Sequence, residues 1–205
     1  MEKQIRAFTT ESKGILNVLR NEVLLSPKKE LHPNSKMMQC KAVWDTGATN
    51  SAISVSKARE CNLIPNGKAI SNTANGMREC NTFVVDLILP CEVVIPNVTI
   101  TECDLDPNID MLIGMDVINL GNFSVSNYNG KTKFSFIIPS FEDIDYVKDL
   151  DKENKKKLQK AEKQLEREIK QHGNEKCGCG SGRKYRYCCG KEEMTKIKKK
   201  QELVK

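Results

Sequence analysis

Histidine is scarce in these 205 residues: there are two, His32 and His172. They lie too far apart, and too isolated from other candidates, to suggest a nucleophile-histidine-acid triad. No apolar run approaches the ~20 residues that a membrane-spanning helix needs. The first residues, MEKQIRAFTTESKG, lack the apolar core of a secretory signal. The expectation is a cytoplasmic chain with no membrane span. The acidic group Asp104, Asp106 and Asp110 lacks the central glycine and the terminal glutamate of an EF-hand, so surface solvation accounts for it.

What the chain does have is room for one ordinary domain and an appendage. Its nine cysteines divide into two groups. Cys40, Cys61, Cys80, Cys91 and Cys103 are scattered singly through apolar surroundings and read as small core residues. Cys177, Cys179, Cys188 and Cys189 crowd into thirteen residues, and clustered thiols in a reducing compartment usually bind metal. Charge is divided too. Residues 1–147 hold 14 Lys and Arg against 17 Asp and Glu, whereas residues 148–205 hold 19 against 10. The basic character therefore belongs to the tail, where it could attract acidic partners without specificity.

Between residues 40 and 139, short β-branched runs alternate with turn residues, which predicts a small, mainly β domain. Asn75-Gly76 between two such runs favours a tight hairpin turn. One helix is expected at Ser54–Asn62 with Ser54 as its cap, and a second from Asp116, which would cap its own start. After Pro139 the composition turns to Lys and Glu, and Leu158, Ala161, Leu165 and Ile169 recur at helical spacing up to Gly173-Asn174. The expected organisation is an N-terminal extension (1–35), a β domain (36–140), a charged helical linker (141–173), a metal-binding module (174–190) and a basic tail (191–205).

Chemistry centres on Ala42-Val43-Trp44-Asp45-Thr46-Gly47-Ala48, an apolar strand that ends in a carboxylate, a hydroxyl and a glycine. Two carboxylates about 3 Å apart cannot both ionise and so share one proton, which equips one as base and the other as acid. Threonine can fix the loop, and glycine lets a substrate approach without a Cβ in the way. Downstream, Leu112-Ile113-Gly114-Met115-Asp116 reads as an apolar strand, a glycine and a helix start.

Asp-Thr-Gly-Ala, the intervening hairpin and Leu-Ile-Gly-Met-Asp together resemble the retropepsin family of aspartic proteases across about residues 40–139. The resemblance implies a closed β-barrel with Asp45, Thr46 and Gly47 as the catalytic loop. It also implies a flap formed by the hairpin around Asn75 and Gly76, and the strand Leu112-Ile113-Gly114 packed behind the loop. Ala48, Asn75, Gly76 and Ile113 are the candidates for substrate contact. Because Asp-[Thr/Ser]-Gly occurs once, the second aspartate must come from another copy, so a homodimer acting on peptide or protein is implied. The chain departs from the retroviral pattern at Thr49, where an acidic residue is common, and at Met115, where an arginine is.

Cys177-Gly178-Cys179 faces Cys188-Cys189 across an eight-residue loop, and four soft ligands suit tetrahedral zinc. This string resembles the SEC-C motif. The resemblance implies a closed, structural zinc site with no part in catalysis, and a docking role toward a protein partner or the ribosome. The cysteine spacing is not that of nucleic-acid-binding knuckles, which disfavours nucleic acid as a partner. Two functions follow for comparison: an aspartic endopeptidase that needs no cofactor for catalysis, and a non-catalytic dimeric adaptor of the same fold.

Overall fold

The computed structural model describes residues 5–73 and 76–203. They fall into two compact units, 1–142 and 143–205, each described by itself. In the first, the strands are β1 (Arg6–Glu11), β2 (Arg20–Pro27), β3 (Met38–Trp44) and β4 (Ala52–Ser54), followed by helix α1 (Val55–Glu60). Then come β5 (Gly67–Thr73), β6 (Gly76–Ile88), β7 (Val94–Cys103), β8 (Met111–Ile113), the single turn α2 (Met115–Ile118), β9 (Asn122–Ser126) and β10 (Lys133–Ile138).

Alternation explains the barrel. Val23 and Leu25, Cys40 and Ala42, and Phe83, Val85 and Leu87 occupy every second position of β2, β3 and β6, and all are buried. The order β2-β3-β8-β4-β7-β6 closes on itself through a β2–β6 pairing, which gives a six-stranded barrel with β5 hanging from β6. Closure removes the barrel's free edges. Residues 1–35, expected as an extension, supply β1 and β2. β2 pairs with both β3 and β6, while β1 joins β10 and β9 in a second, three-stranded sheet.

An aromatic cluster fills the space between that sheet and the end of β3. Trp44 stacks on Phe123 with centroids 5.5 Å apart and packs on Phe136 at 5.1 Å, and Phe8 and Phe134 complete the group. The Trp44 indole N–H donates to Asn21 Oδ1 at 3.0 Å, which satisfies the one polar atom this ring buries. The cluster thus fixes the residue immediately before Asp45.

Ser54 caps α1 as expected, its hydroxyl accepting from Lys57 N–H at 3.2 Å. The expected cap at Asp116 is corrected: Gly114 holds that position, and α2 begins at Met115. His32 is fully buried and structural. Its Nδ1 accepts from Ile64 N–H at 3.0 Å, which leaves Nε2–H to donate to the Val84 carbonyl, also at 3.0 Å.

The second unit holds α3 (Tyr146–His172) and α4 (Cys189–Leu203). Asp145 caps α3 by accepting from the N–H groups of Val147 and Lys148, and Gly173 ends it. The segment expected as a basic tail is helical as far as Leu203. Met194, Ile197 and Gln201 recur at helical spacing and are less exposed than their neighbours. Gln201 donates to Glu162 of α3 at 2.8 Å, so α4 runs back along α3. Among the described residues, no helix is long and apolar enough to cross a membrane.

Candidate active site and metal centre

Asp45 sits where β3 leaves the barrel. Its N–H donates to the Ile113 carbonyl at 2.9 Å, and its own Oδ1 accepts from Gly47 N–H at 2.8 Å. The carboxylate is therefore oriented by its own loop and half-exposed. Thr46 and Gly47 are exposed beside it, and Ala48 is half-buried.

The strand expected behind this loop is there. Parallel pairing sets Val43 opposite Leu112 and Trp44 opposite Ile113. Met115 N–H donates to the Ala48 carbonyl at 2.8 Å, and Asp116 N–H to the Thr49 carbonyl at 3.1 Å. The Asp116 carboxylate accepts from the Ser51 hydroxyl at 2.8 Å and from Ser51 N–H at 3.1 Å, while Ser51 Oγ accepts from Gly114 N–H at 3.1 Å. Ser51 is fully buried and Asp116 half-buried, so these bonds are partly shielded from water. Asp116 thus clasps the two loops together. The signal for this was in the sequence, a serine six residues after Asp45, but nothing local ties it to a carboxylate 65 positions away.

Ile113 has 0% exposure, so its side chain packs in the core and only its carbonyl serves the site. Leu112, one residue earlier, points to the other face and is half-exposed beside Val43. Strand alternation alone could have separated the two. The hairpin is formed by β5 and β6 in register from Gly67 opposite Thr82 to Thr73 opposite Gly76. Gly76 has φ of +103°, which suits glycine. Asn75 lies outside the described residues. Ile70 and Met77 on the two arms are largely exposed.

Gly114 is where the fold has least slack. A Cβ there would stand 2.6 Å from Asn50 C, 2.7 Å from Asn50 O and 2.9 Å from Ala48 O, all backbone atoms of the loop that follows Asp45. Gly114→Ala is therefore expected to lower the unfolding free energy by about 3 kcal/mol, the upper part of the overpacking range. Urea denaturation checks this, and a loss below about 1 kcal/mol would mean that the loop yields freely.

In the second unit, Cys177, Cys179, Cys188 and Cys189 bring their sulfurs within 4.8 Å of one another. Four thiolates about 2.3 Å from one tetrahedral ion stand about 3.8 Å apart, so the cluster could hold a metal with little movement. A short ladder builds it: Cys177 N–H donates to the Arg183 carbonyl at 2.7 Å and Tyr185 N–H to the Glu175 carbonyl at 2.9 Å. Ser181 Oγ lies 3.2 Å from the sulfurs of both Cys179 and Cys188. That hydroxyl, with Ser181 N–H, holds the Cys179 thiol down to about 6, while the Cys177 and Cys179 thiols push Cys189 up to about 12. A cation bound among them would remove the remaining protons.

Residues 34–120 match the family model described as "gag-polyprotein putative aspartyl protease". No curated protein matches the chain. Among solved structures, a retropepsin-like aspartic protease from Rickettsia conorii is similar at 14% identity, covering 67% of this chain and 98% of its own, with a TM-score of 0.44. The protease of simian foamy virus (mac) is similar at 14% identity, covering 49% of this chain and 91% of its own, with a TM-score of 0.35. EIAV protease, in complex with an inhibitor, is similar at 14% identity over 52% of this chain and 90% of its own, with a TM-score of 0.39. The matched segment 34–120 spans the Asp45 loop, the β5–β6 hairpin and the Gly114 clasp, and the closed barrel that holds them is retropepsin-like in fold.

Proposed function

We propose that the chain is half of a homodimeric aspartic endopeptidase, cytoplasmic in location, in which Asp45 of each copy supplies one of two catalytic carboxylates. One observation supports this above the rest: a half-exposed carboxylate at a strand end, oriented by Gly47 N–H and backed by the Ile113 carbonyl, present once per chain. A two-fold axis beside that loop would bring two such groups together. The ionised carboxylate then takes a proton from water as it attacks the peptide carbonyl, and the protonated one hands its proton to the carbonyl oxygen. Breakdown of the tetrahedral species delivers a proton to the leaving amine and restores the shared proton. No metal or organic cofactor enters these steps. Ala48, Leu112 and the arms of the β5–β6 hairpin would bound the substrate.

The four cysteines would hold a zinc ion, as the SEC-C resemblance implies. With all four positions filled by protein, the ion serves structure and leaves no place for substrate. The module would then recruit the protease to a protein partner or the ribosome.

The competing reading is an adaptor that dimerises through the barrel and cleaves nothing. A diverse peptide pool incubated with purified protein separates the two. The protease reading expects cleavage that a statine-type transition-state analogue blocks, because such analogues bind far more tightly than substrate. An uncut pool at every pH between 4 and 8 would favour the adaptor.

A further inference from the structure

Two cysteines with no part in the chemistry above are set opposite one another by strand register where the β5–β6 hairpin leaves the barrel. The β6–β7 ladder runs from Thr82 opposite Thr101 to Ile88 opposite Val94. Asn81 Nδ2 donates to Glu102 at 2.7 Å, so the register continues one step beyond the ladder. One further step sets Cys80 opposite Cys103. Side chains alternate along both strands, so this pair lies on the face opposite to Asn81 and Glu102, the face of Thr82 and Thr101. Both thiols are free and half-buried. On its other side Cys80 faces only Ala69 of β5.

Directly opposed residues of antiparallel strands have Cα atoms about 4.5 or 5.5 Å apart, and both spacings lie within what a disulfide spans. Proximity has a second sign: the Cys103 thiol is raised above the ordinary range first by burial and then by the neighbouring Cys80. Past this point β6 continues without β7, paired to β5 alone, so the pair sits at the root of the hairpin.

We propose that Cys80 and Cys103 are a redox-responsive dithiol that closes to a cross-strand disulfide and pins the root of the hairpin to β7. With hydrogen peroxide as oxidant, one thiolate attacks a peroxide oxygen, which yields a sulfenic acid and one water after proton transfer. The second thiol attacks the sulfenic sulfur, the S–S bond forms and a second water leaves. Two thiols lose two electrons and one peroxide gains them. Because the Cys103 proton is held tightly, closure is expected to quicken as pH rises. Residues of the hairpin that must part to admit a substrate would then swing from a shorter, stiffer arm. This last consequence rests on reading the hairpin as a flap, and bond formation does not.

The test uses the whole 205-residue chain, purified in the presence of zinc, treated with peroxide and then alkylated. The expected result is a loss of 2 Da, with non-reducing peptide mapping joining Cys80 to Cys103, and no such link in Cys80→Ser or Cys103→Ser. Hydrogen exchange across residues 67–82 should slow at least tenfold and recover on reduction, whether or not the chain cleaves peptides. If it does cleave them, hydrolysis should fall about tenfold in the wild type and be spared in Cys80→Ser. Cys80 and Cys103 both remaining alkylatable after peroxide, or linking to other cysteines, would overturn the pairing. A bond that left hairpin exchange unchanged would overturn the pinning.

Discussion

Asp45→Asn is expected to lower peptide hydrolysis by at least about a thousandfold, the scale of acid-base catalysis by a positioned group. The substitution changes neither size nor the ability of Oδ1 to accept from Gly47 N–H. It removes the ionised form, and with it the base that takes the proton from water. Because the residue is half-exposed, the unfolding free energy should move by less than about 1 kcal/mol, and the metal content not at all. Mixing supplies a sharper measurement. Wild type equilibrated with about nine parts of Asp45→Asn should lose roughly nine-tenths of its activity, because most wild-type chains then pair with an inert copy. A protease that worked as a monomer would keep its full activity in that mixture. Equal hydrolysis by variant and wild type would end the protease reading altogether.

Removal of metal should have the second largest effect, confined to the C-terminal unit. Structural zinc in small modules contributes on the order of 10 kcal/mol or more of apparent binding free energy, which is also folding free energy. Between Gly173 and Cys188 the chain buries little besides Cys177, so without the ion the loop has nothing comparable to order it. Chelation, or Cys177→Ser, should abolish protection from exchange across residues 174–192. The barrel, with its own core, should keep its thermal midpoint. Native mass spectrometry should find one zinc per chain before chelation and none after. Acid works in the same direction: the thiols must lose their protons to bind, and Cys189 holds its proton tightly. Affinity should therefore fall as pH falls, most steeply once Cys179, set at about 6, is also protonated. Unchanged exchange after complete metal loss would mean that the ladder at Lys176 and Lys184 suffices alone.

The elements that were legible in advance are those whose causes are local. Ser54 precedes its helix by one residue, and Gly76 lies opposite Thr73 at the end of the pairing between the hairpin's two arms. The N-terminal segment was legible only as a strand or two without firm bounds, because what fixes β1 and β2 lies far away: Phe8 faces Phe136, and Arg20 faces Val43. The Lys-rich end read as a tail because its apolar stripe is one residue wide, and only α3 shows what that stripe is for. Asp116 misled for a related reason. An aspartate at the start of a helix is the usual cap, yet here the carboxylate accepts from the Ser51 hydroxyl and N–H, and its one bond to the helix is from the adjacent Val117 N–H to Oδ1 at 3.0 Å. The Ser51 bonds also bear on Thr49 and Met115, where the retroviral charge pattern is missing. The two loops are joined instead by backbone bonds and a buried serine.

Trp44 is the chain's single tryptophan, stacked on Phe123 and 5% exposed, one residue before Asp45. All intrinsic indole emission therefore originates at the base of the Asp45 loop, from a ring shielded from water. Its wavelength and anisotropy form a label-free optical gauge of what happens at that loop, whether a second copy docks, an inhibitor binds or the aromatic cluster loosens.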